Sequence, residues 1–486
     1  MLTLGTVGAV GLPAHAVPVP DAVPAPPRSA AVTAHPAAPA GTPLEDASWW
    51  WDAMGVDELH RAGTGRGVTV AVIDTPINPD VRELEGKVAA STSPCVTDDD
   101  GGRESPTSTG REAEHATSMA ALIAGTGRGN AAAGAGIRGI APDVRLLHYA
   151  VNYPDPGDAQ DTTCAITGPG YDEVADGVVA SIRQAVADGA RIINMSLSGG
   201  YDADFAPAML EAYRAGVILV AGTSNAKRDV LWPANGNGVV AVNPVDRTGL
   251  VDEDSVTDAP NIGLTAPGTG VNSFGWDGGA WHSDYHSDGS SNATALVSGG
   301  LAAMWSAHPD ATANQVLQAA RAGVGLRRTG DGVQTWFRRE GTDLPQVTER
   351  NRAYGWGIFD PADAVAIDPT TLPDENPFVV DTLGAEPSAG QIRALSVAAS
   401  PSATTTASAA PTATPDGAPR AAGTTGAGVS WGLLALVAVA LGVVAAVALL
   451  VARRRGGPSG TGGDPADTMT TGAVGARPGA RADGEE

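Results

Sequence analysis

The sequence predicts an α/β fold in three layers, a mostly parallel central sheet with helices on both faces, followed by a single C-terminal transmembrane helix. Three observations predict it. From about residue 46 to 368, short apolar runs rich in Val and Ile alternate with stretches of helical spacing, and parallel strands need such helices as crossovers. The runs are nearly continuous in apolar residues rather than alternating, as strands buried on both faces are. A much longer apolar run, from residue 431 to 452, carries no charge at all.

The expected strands are Val68–Ile73, Val144–Val151, Arg191–Met195, Val217–Ala221, Val239–Val242 and Ile262–Ala266. Between them Met119–Gly125, Tyr171–Ala187 and Phe205–Ala215 have apolar residues at helical intervals, and Gly216 is placed to close the last of these as a C-cap. His115 and Ser291 each open a further run of small residues (HATSMAALIAG and ALVSGGLAAMW) that reads as helix. In open α/β sheets ligands bind beyond the carboxyl ends of the strands, so the residues following each run are the first to search for chemistry.

Outside that region the composition changes. Residues 1–16 form an apolar stretch closing on Ala14-His15-Ala16, the pattern of a secretory signal and its cleavage site, without the basic residues that usually precede it, as if the signal began further upstream. Residues 17–45 are Ala/Pro-rich and are expected to be an extended linker or short pro-segment. Residues 46–368 are the expected folded domain, and 369–430, rich in Thr, Ala, Ser and Pro, the expected disordered stalk. The run 431–452 is long enough to cross a hydrocarbon layer of about 30 Å as a helix. Arg453-Arg454-Arg455 follows at once and orients that flank toward the cytoplasm, which leaves residues 453–486 as a disordered cytoplasmic tail and puts the folded domain outside the cell membrane. With 54 acidic against 30 basic residues, a formal charge of −24, the chain is a poor partner for nucleic acid.

Three residues placed at strand ends and helix starts carry reactive groups. Asp74 ends the first strand, His115 opens one small-residue helix, and Ser291 opens another within Gly289-Ser290-Ser291-Asn292-Ala293-Thr294. Each alone is an ordinary cap or turn residue. Together they stand in one of the chain orders of a nucleophilic triad, in which an imidazole takes the serine proton and a carboxylate holds the imidazole in the right tautomer. Asn225, after the Val217 strand, sits where a side-chain amide can donate to a developing oxyanion, a contribution of about 3 kcal/mol to the barrier.

The stretches VAVIDT, H-x-T-S-M-A-x-L-I-A-G, G-I-A-P-D-V-R-L-L, I-N-M-S-L-S-G-G, V-A-G-T-S-N and G-S-S-x-A-x-x-x-x-S-G, in this order over about residues 67 to 360, resemble the subtilisin-like serine proteases. The resemblance implies a subtilisin-like fold and a serine endopeptidase that acts on proteins or peptides without a cofactor. It makes Asp74 the orienting carboxylate, His115 the general base, Ser291 the nucleophile and Asn225 the oxyanion donor. Ser196, Leu197, Ser198 and Gly199 resemble the segment that pairs with an extended substrate, which binds as an added strand. The Trp49-Trp50-Trp51 lead-in, the short pro-region, the closing strand Tyr354–Asp360 and the basic-flanked anchor look like the mycosin branch, whose members are membrane-anchored subtilases of type VII secretion systems. That implies secretion-system membrane components as partners. Two alternatives stay open: a weakly active, mainly structural subunit of a secretion complex, and a surface subtilase unrelated to secretion. Pro76, Ala116, Asn292 and Ala295 depart from the family pattern without removing a catalytic group.

Cys95 and Cys164 fall in loops after two strands and are able to meet at the strand-end face; outside the cell one bridge is the expected state, with two free thiols as the alternative. No metal site is expected, since Asp98-Asp99-Asp100 lacks further ligands at loop spacing. His282 and His286 are expected in a loop before Ser291.

Overall fold

Seven parallel strands form the sheet at the centre of the computed structural model. It describes residues 43–399 apart from 97–101, 132–133, 152, 155–161, 165–173, 228, 252–253, 326, 329–333 and 336–349. The chain divides into two units, residues 1–404 and 405–486, and every described residue lies in the first.

The described chain enters through three short helices, α1 (Pro43–Ala47), α2 (Trp50–Ala53) and α3 (Val56–Ala62), and then lays down β1 (Thr69–Asp74) and β2 (Val88–Thr92). After α4 (Glu114–Ala124) come the hairpin β3 (Thr126–Arg128) and β4 (Ala135–Arg138), the strand β5 (Arg145–Ala150), and a two-residue pair, β6 (Tyr153–Pro154) and β7 (Thr162–Thr163). Then α5 (Val174–Ala187), β8 (Ile192–Met195), α6 (Phe205–Arg214), β9 (Ile218–Gly222), β10 (Val240–Val245) and β11 (Leu264–Pro267) follow. An antiparallel ribbon of β12 (Val271–Asp277) and β13 (Ala280–Ser287) leads into α7 (Ser290–Ala307), and α8 (Ala313–Ala322), α9 (Pro361–Ala364) and α10 (Ala389–Ala399) come last.

The strand order is β11-β10-β9-β8-β1-β5-β2, with every pair parallel. All six expected strands are present, with boundaries shifted by at most three residues. The direction of winding reverses at β1, which has β8 on one side and β5 on the other, so the crevice beyond its carboxyl end is the switch point of the sheet. Two cores fill the faces. One packs α4 and α7 under β1, β8, β9 and β10; the other packs α5 and α6 through Ile182, Val178, Phe205 and Met209 on the opposite face. Helix α7 is buried almost all round, which only small residues permit: a side chain on Gly299 would meet Ile140 at 2.2 Å, and one on Gly300 would meet Phe359 at 2.6 Å. Gly216 closes α6 at φ +71°, the left-handed conformation that favours glycine there.

Several expectations are corrected. His282 and His286 are on β13, opposite Gly275 and Asn272, not in a loop. The alternation along β13 is weak because this strand is mostly exposed, so its pattern does not read as a strand. The edge strand β2 is missed for the same reason. The segment 354–360 contributes isolated bridges, Ile358 with Thr265 and Gly325, rather than a strand. Residues 369–399, expected as disordered stalk, are ordered: Phe378 is buried, Asn237 Nδ2 donates to the carbonyls of Val380 and Pro387 at 3.0 Å, and α10 follows. At the other end α1 takes up residues 43–45 of the expected linker.

The expected signal, transmembrane run, cytoplasmic tail and acidic triplet 98–100 lie outside the described residues. Among the described residues no helix is long and apolar enough to cross a membrane, and no group of three or more His, Cys, Asp or Glu converges as metal ligands do. Cys95 and Cys164 form a buried disulfide, so the bridged alternative holds.

Candidate active site

Asp74 and His115 meet beyond the end of β1. The His115 Nδ1–H donates to Asp74 Oδ1 at 2.6 Å, which leaves Nε2 with its lone pair. The carboxylate is 1% exposed and the imidazole 41%, so the pair presents one working edge to the outside. Burial disfavours the imidazolium, but the charge of Asp74 and the hydrogen bond to it outweigh burial, and the pKa of His115 is raised above its ordinary 6.5.

Thr75 holds both members. Its N–H donates to Asp74 Oδ1 at 2.7 Å, and its hydroxyl accepts from Ala116 N–H at 3.2 Å at the first turn of α4. The other carboxylate oxygen, Asp74 Oδ2, has no hydrogen-bond partner among the described residues, and Pro76, two residues on, has no N–H to offer.

Ser291 lies in the first turn of α7. Its hydroxyl donates to the carbonyl of Ser196 at 3.0 Å, and its own carbonyl accepts from Ser196 Oγ at 2.9 Å. A serine hydroxyl has one hydrogen, so in this state it faces Ser196 rather than His115. Behind it runs a buried polar chain. Ser298 Oγ donates to Asn194 Oδ1 at 2.9 Å, and Asn194 Nδ2 donates to Ser196 Oγ at 3.1 Å. Thus β8, the segment after it and α7 are joined through side chains that water does not reach.

Asn225 follows β9 and is oriented by Ser290. Its Oδ1 accepts from the Ser290 N–H at 2.8 Å and the Ser290 hydroxyl at 3.0 Å, which commits the carbonyl end and leaves the amide hydrogens on Nδ2 to face outward. Gly289 makes this possible, since a side chain there would meet Nδ2 at 3.1 Å. The segment Ser196, Leu197, Ser198 and Gly199 borders the same crevice; Gly199 pairs with Trp232 through two backbone bonds. Beside it a pocket of about 220 Å³ is lined by Leu197, Gly199, Val178, Phe205 and Trp232, with the Phe205 and Trp232 rings stacked.

A family model described as the subtilase family matches residues 65–357. The chain belongs to the subtilase family. Among its curated relatives, fervidolysin of Fervidobacterium pennivorans is 29% identical over 254 residues, 49% of this chain and 34% of that protein. Mycosin-1 of Mycolicibacterium smegmatis is 26% identical over 383 residues, 69% of this chain and 76% of that protein. This subtilase thus spans about a third of the length of the one and three quarters of the other. In fold it is similar to the crystal structure of fervidolysin, a keratinolytic enzyme related to subtilisin, at a TM-score of 0.50, 23% identity and coverage of 66% of this chain and 46% of that one. It is equally similar to MycP1 from the ESX-1 type VII secretion system, at 0.50 and 23% over 69% of this chain and 89% of that one.

The departures from the family pattern now have local explanations. Asn292 is buried and its Nδ2 donates to the carbonyls of Gly268 and Ser287, each at 3.1 Å, tying the start of α7 to the ends of β11 and β13. Ala116 and Ala295 are buried without unpaired polar atoms. The residues the sequence did not reveal as part of this subtilase's site are Thr75, Ser290, Asn194, Ser298 and His148. Only His148 had a visible signal, a titratable side chain inside an otherwise apolar strand.

Proposed function

We propose that this subtilase is a serine endopeptidase in which Ser291 is the nucleophile, His115 the general base, Asp74 its orienting carboxylate, and Asn225 the oxyanion donor. The observation that carries the reading is the 2.6 Å bond from His115 Nδ1 to Asp74 Oδ1, which leaves Nε2 as a free base. An extended peptide adds as a strand to the segment from Ser196 to Gly199, and its side chains enter pockets such as the one lined by Leu197 and Trp232. Rotation of the Ser291 hydroxyl from Ser196 to His115 starts the reaction. Ser291 Oγ attacks the scissile carbonyl carbon as its proton passes to His115 Nε2, and Asn225 Nδ2 and the Ser291 N–H stabilise the oxyanion. The proton then goes to the leaving amine, and the acyl-enzyme on Ser291 is hydrolysed by water with His115 again as base.

The chain's likeness to mycosin-1 over most of both proteins supports a place in the mycosin branch. On that reading residues 431–452 anchor the protein in the cell membrane, the catalytic domain faces outward, and type VII secretion components are its partners. Labelling of the purified chain by a fluorophosphonate probe tests the chemistry. The parent takes label and Ser291→Ala does not; labelling of that variant at the parental rate refutes the assignment. A secretion assay separates the roles. Secretion lost with Ser291→Ala marks proteolysis as the contribution, whereas secretion lost only on deletion of the protein marks a structural one.

A further inference from the structure

His148 is a buried titratable side chain that the mechanism above does not use. It lies in the middle of β5, between β1 and β2, and is 1% exposed. Its Nε2–H donates to the carbonyl of Thr75 at 2.8 Å, and its Nδ1 stands 2.7 Å from the Ser91 hydroxyl on β2, which donates to it. Those roles follow from the acceptor at Thr75, since a carbonyl requires the hydrogen on Nε2. Both ring nitrogens are therefore satisfied with the ring neutral.

Thr75 is the residue through which the two halves of the Asp74–His115 pair are held. Its N–H fixes Asp74 Oδ1, and its hydroxyl fixes Ala116 N–H, next to His115. The residue after it is proline, which has no N–H of its own, and the next backbone donors, Ile77 and Asn78, bond to Pro106 and Thr117 rather than to Asp74 or His115. Asp74 Oδ2 has no partner among the described residues, so the carboxylate depends on the Oδ1 contacts for its orientation. The Thr75 carbonyl is the third polar group of that residue, and His148 holds it from β5. We propose that His148 is a positioning residue for catalysis, a neutral hydrogen-bond donor that, backed by Ser91, locks the Thr75 turn and through it the Asp74–His115 geometry.

The inference rests on the reading of Ser291 as the nucleophile. The charged group whose field reaches His148 is Asp74 from β1, and the group facing it from β2 is the Ser91 hydroxyl. Burial lowers the pKa of His148 to about 4, which keeps the ring in its neutral, donating form at the pH values where His115 titrates. The side chain is therefore a fixed strut across the catalytic range.

The test is the rate of labelling of the full-length chain by an alkyl fluorophosphonate, measured against pH. In the parent the acid limb follows His115. His148→Leu removes the donor, and the plateau rate is expected to fall roughly tenfold, about what one lost hydrogen bond allows. At the same time the acid limb moves down, because a looser Asp74 raises the pKa of His115 less. His148→Gln places an amide N–H where Nε2 was and is expected to restore the rate to within about threefold and the limb with it. A merely structural histidine would lower the melting temperature without moving the limb. A parental plateau and limb in His148→Leu overturns the proposal. If that variant does not fold, Ser91→Ala decides: a smaller loss with the limb displaced the same way supports the strut, and an unchanged profile overturns it. Labelling of Ser291→Ala at the parental rate refutes the nucleophile reading instead, so the two failures are distinct.

Discussion

The Oδ1 atom of Asn225 accepts two hydrogen bonds from Ser290, one from its N–H at 2.8 Å and one from its hydroxyl at 3.0 Å. The residue beside Ser291 thus aims the amide that faces the crevice. Asn225→Leu removes the donor and is expected to lower kcat by about 10² to 10³ with little change in KM, because the bond forms only to the oxyanion. Ser290→Ala leaves the backbone bond in place, so its loss in kcat is about threefold to tenfold. Steady-state kinetics on a fluorogenic peptide checks both, and equal losses in the two variants would contradict the division of roles.

The raised pKa of His115 sets the sign of the pH dependence. The base must be neutral, so kcat/KM rises with pH through a limb above the ordinary 6.5. Asp74→Asn removes the charge that raises the pKa; the limb moves down, and the plateau falls by about 10⁴ as the imidazole loses its tautomer. The same group contributes stability that is present below pH 6.5 and lost as pH rises through the raised folded value, and this contribution disappears in Asp74→Asn. A pH–rate profile and a pH series of melting temperatures read both effects.

The disulfide between Cys95 and Cys164 closes a loop with a sequence separation of 69. Chain entropy values that closure at about 4 kcal/mol. It also fastens the packing beneath α5, since a side chain on Gly177 would meet Cys164 Sγ at 2.5 Å. Replacing both cysteines by Ala is expected to lower the unfolding free energy by about that amount, read from urea denaturation with the slope held similar.

Removal of residues 369–399 exposes surface on the catalytic body. Phe378 is buried, Tyr201 Oη donates to Glu386 at 2.6 Å, and the Glu386 carbonyl accepts from Asn237 N–H. Tyr201 in turn packs edge-on against Trp232, which lines the pocket beside Gly199. A chain ending at residue 368 is expected to melt several degrees lower and to bind extended peptides more weakly, with kcat less affected. A melting curve and a KM comparison against the chain ending at residue 399 test this; equal KM values would separate the extension from the cleft.

Much of the fold was legible because the signals are local. Val68–Ile73 and its five counterparts are apolar on both faces, and a parallel strand buried on both faces has no other pattern to show. The outer ribbon strand β13 and the edge strand β2 are largely exposed, so neither shows a continuous apolar run, and β2 pairs with β5 far along the chain. The ordered segment 369–388 was hidden for another reason: its composition is that of a linker, and side chains far away in the chain, among them Asn237, Tyr201, Thr312 and Gln315, hold it.

The sequence by itself determined the alternation of six buried strands with helices, singled out Asp74, His115 and Ser291 as the candidates for chemistry, and showed the resemblance to the family, because side-chain chemistry and hydrophobic period are written residue by residue. The tertiary structure decided the direction of the Ser291 hydroxyl, the aim of Asn225 through Ser290, the pairing of Cys95 with Cys164, and the place of His148 under Thr75. Each of these depends on an angle or a distance between segments that meet only when the sheet closes, and no local pattern encodes such a distance.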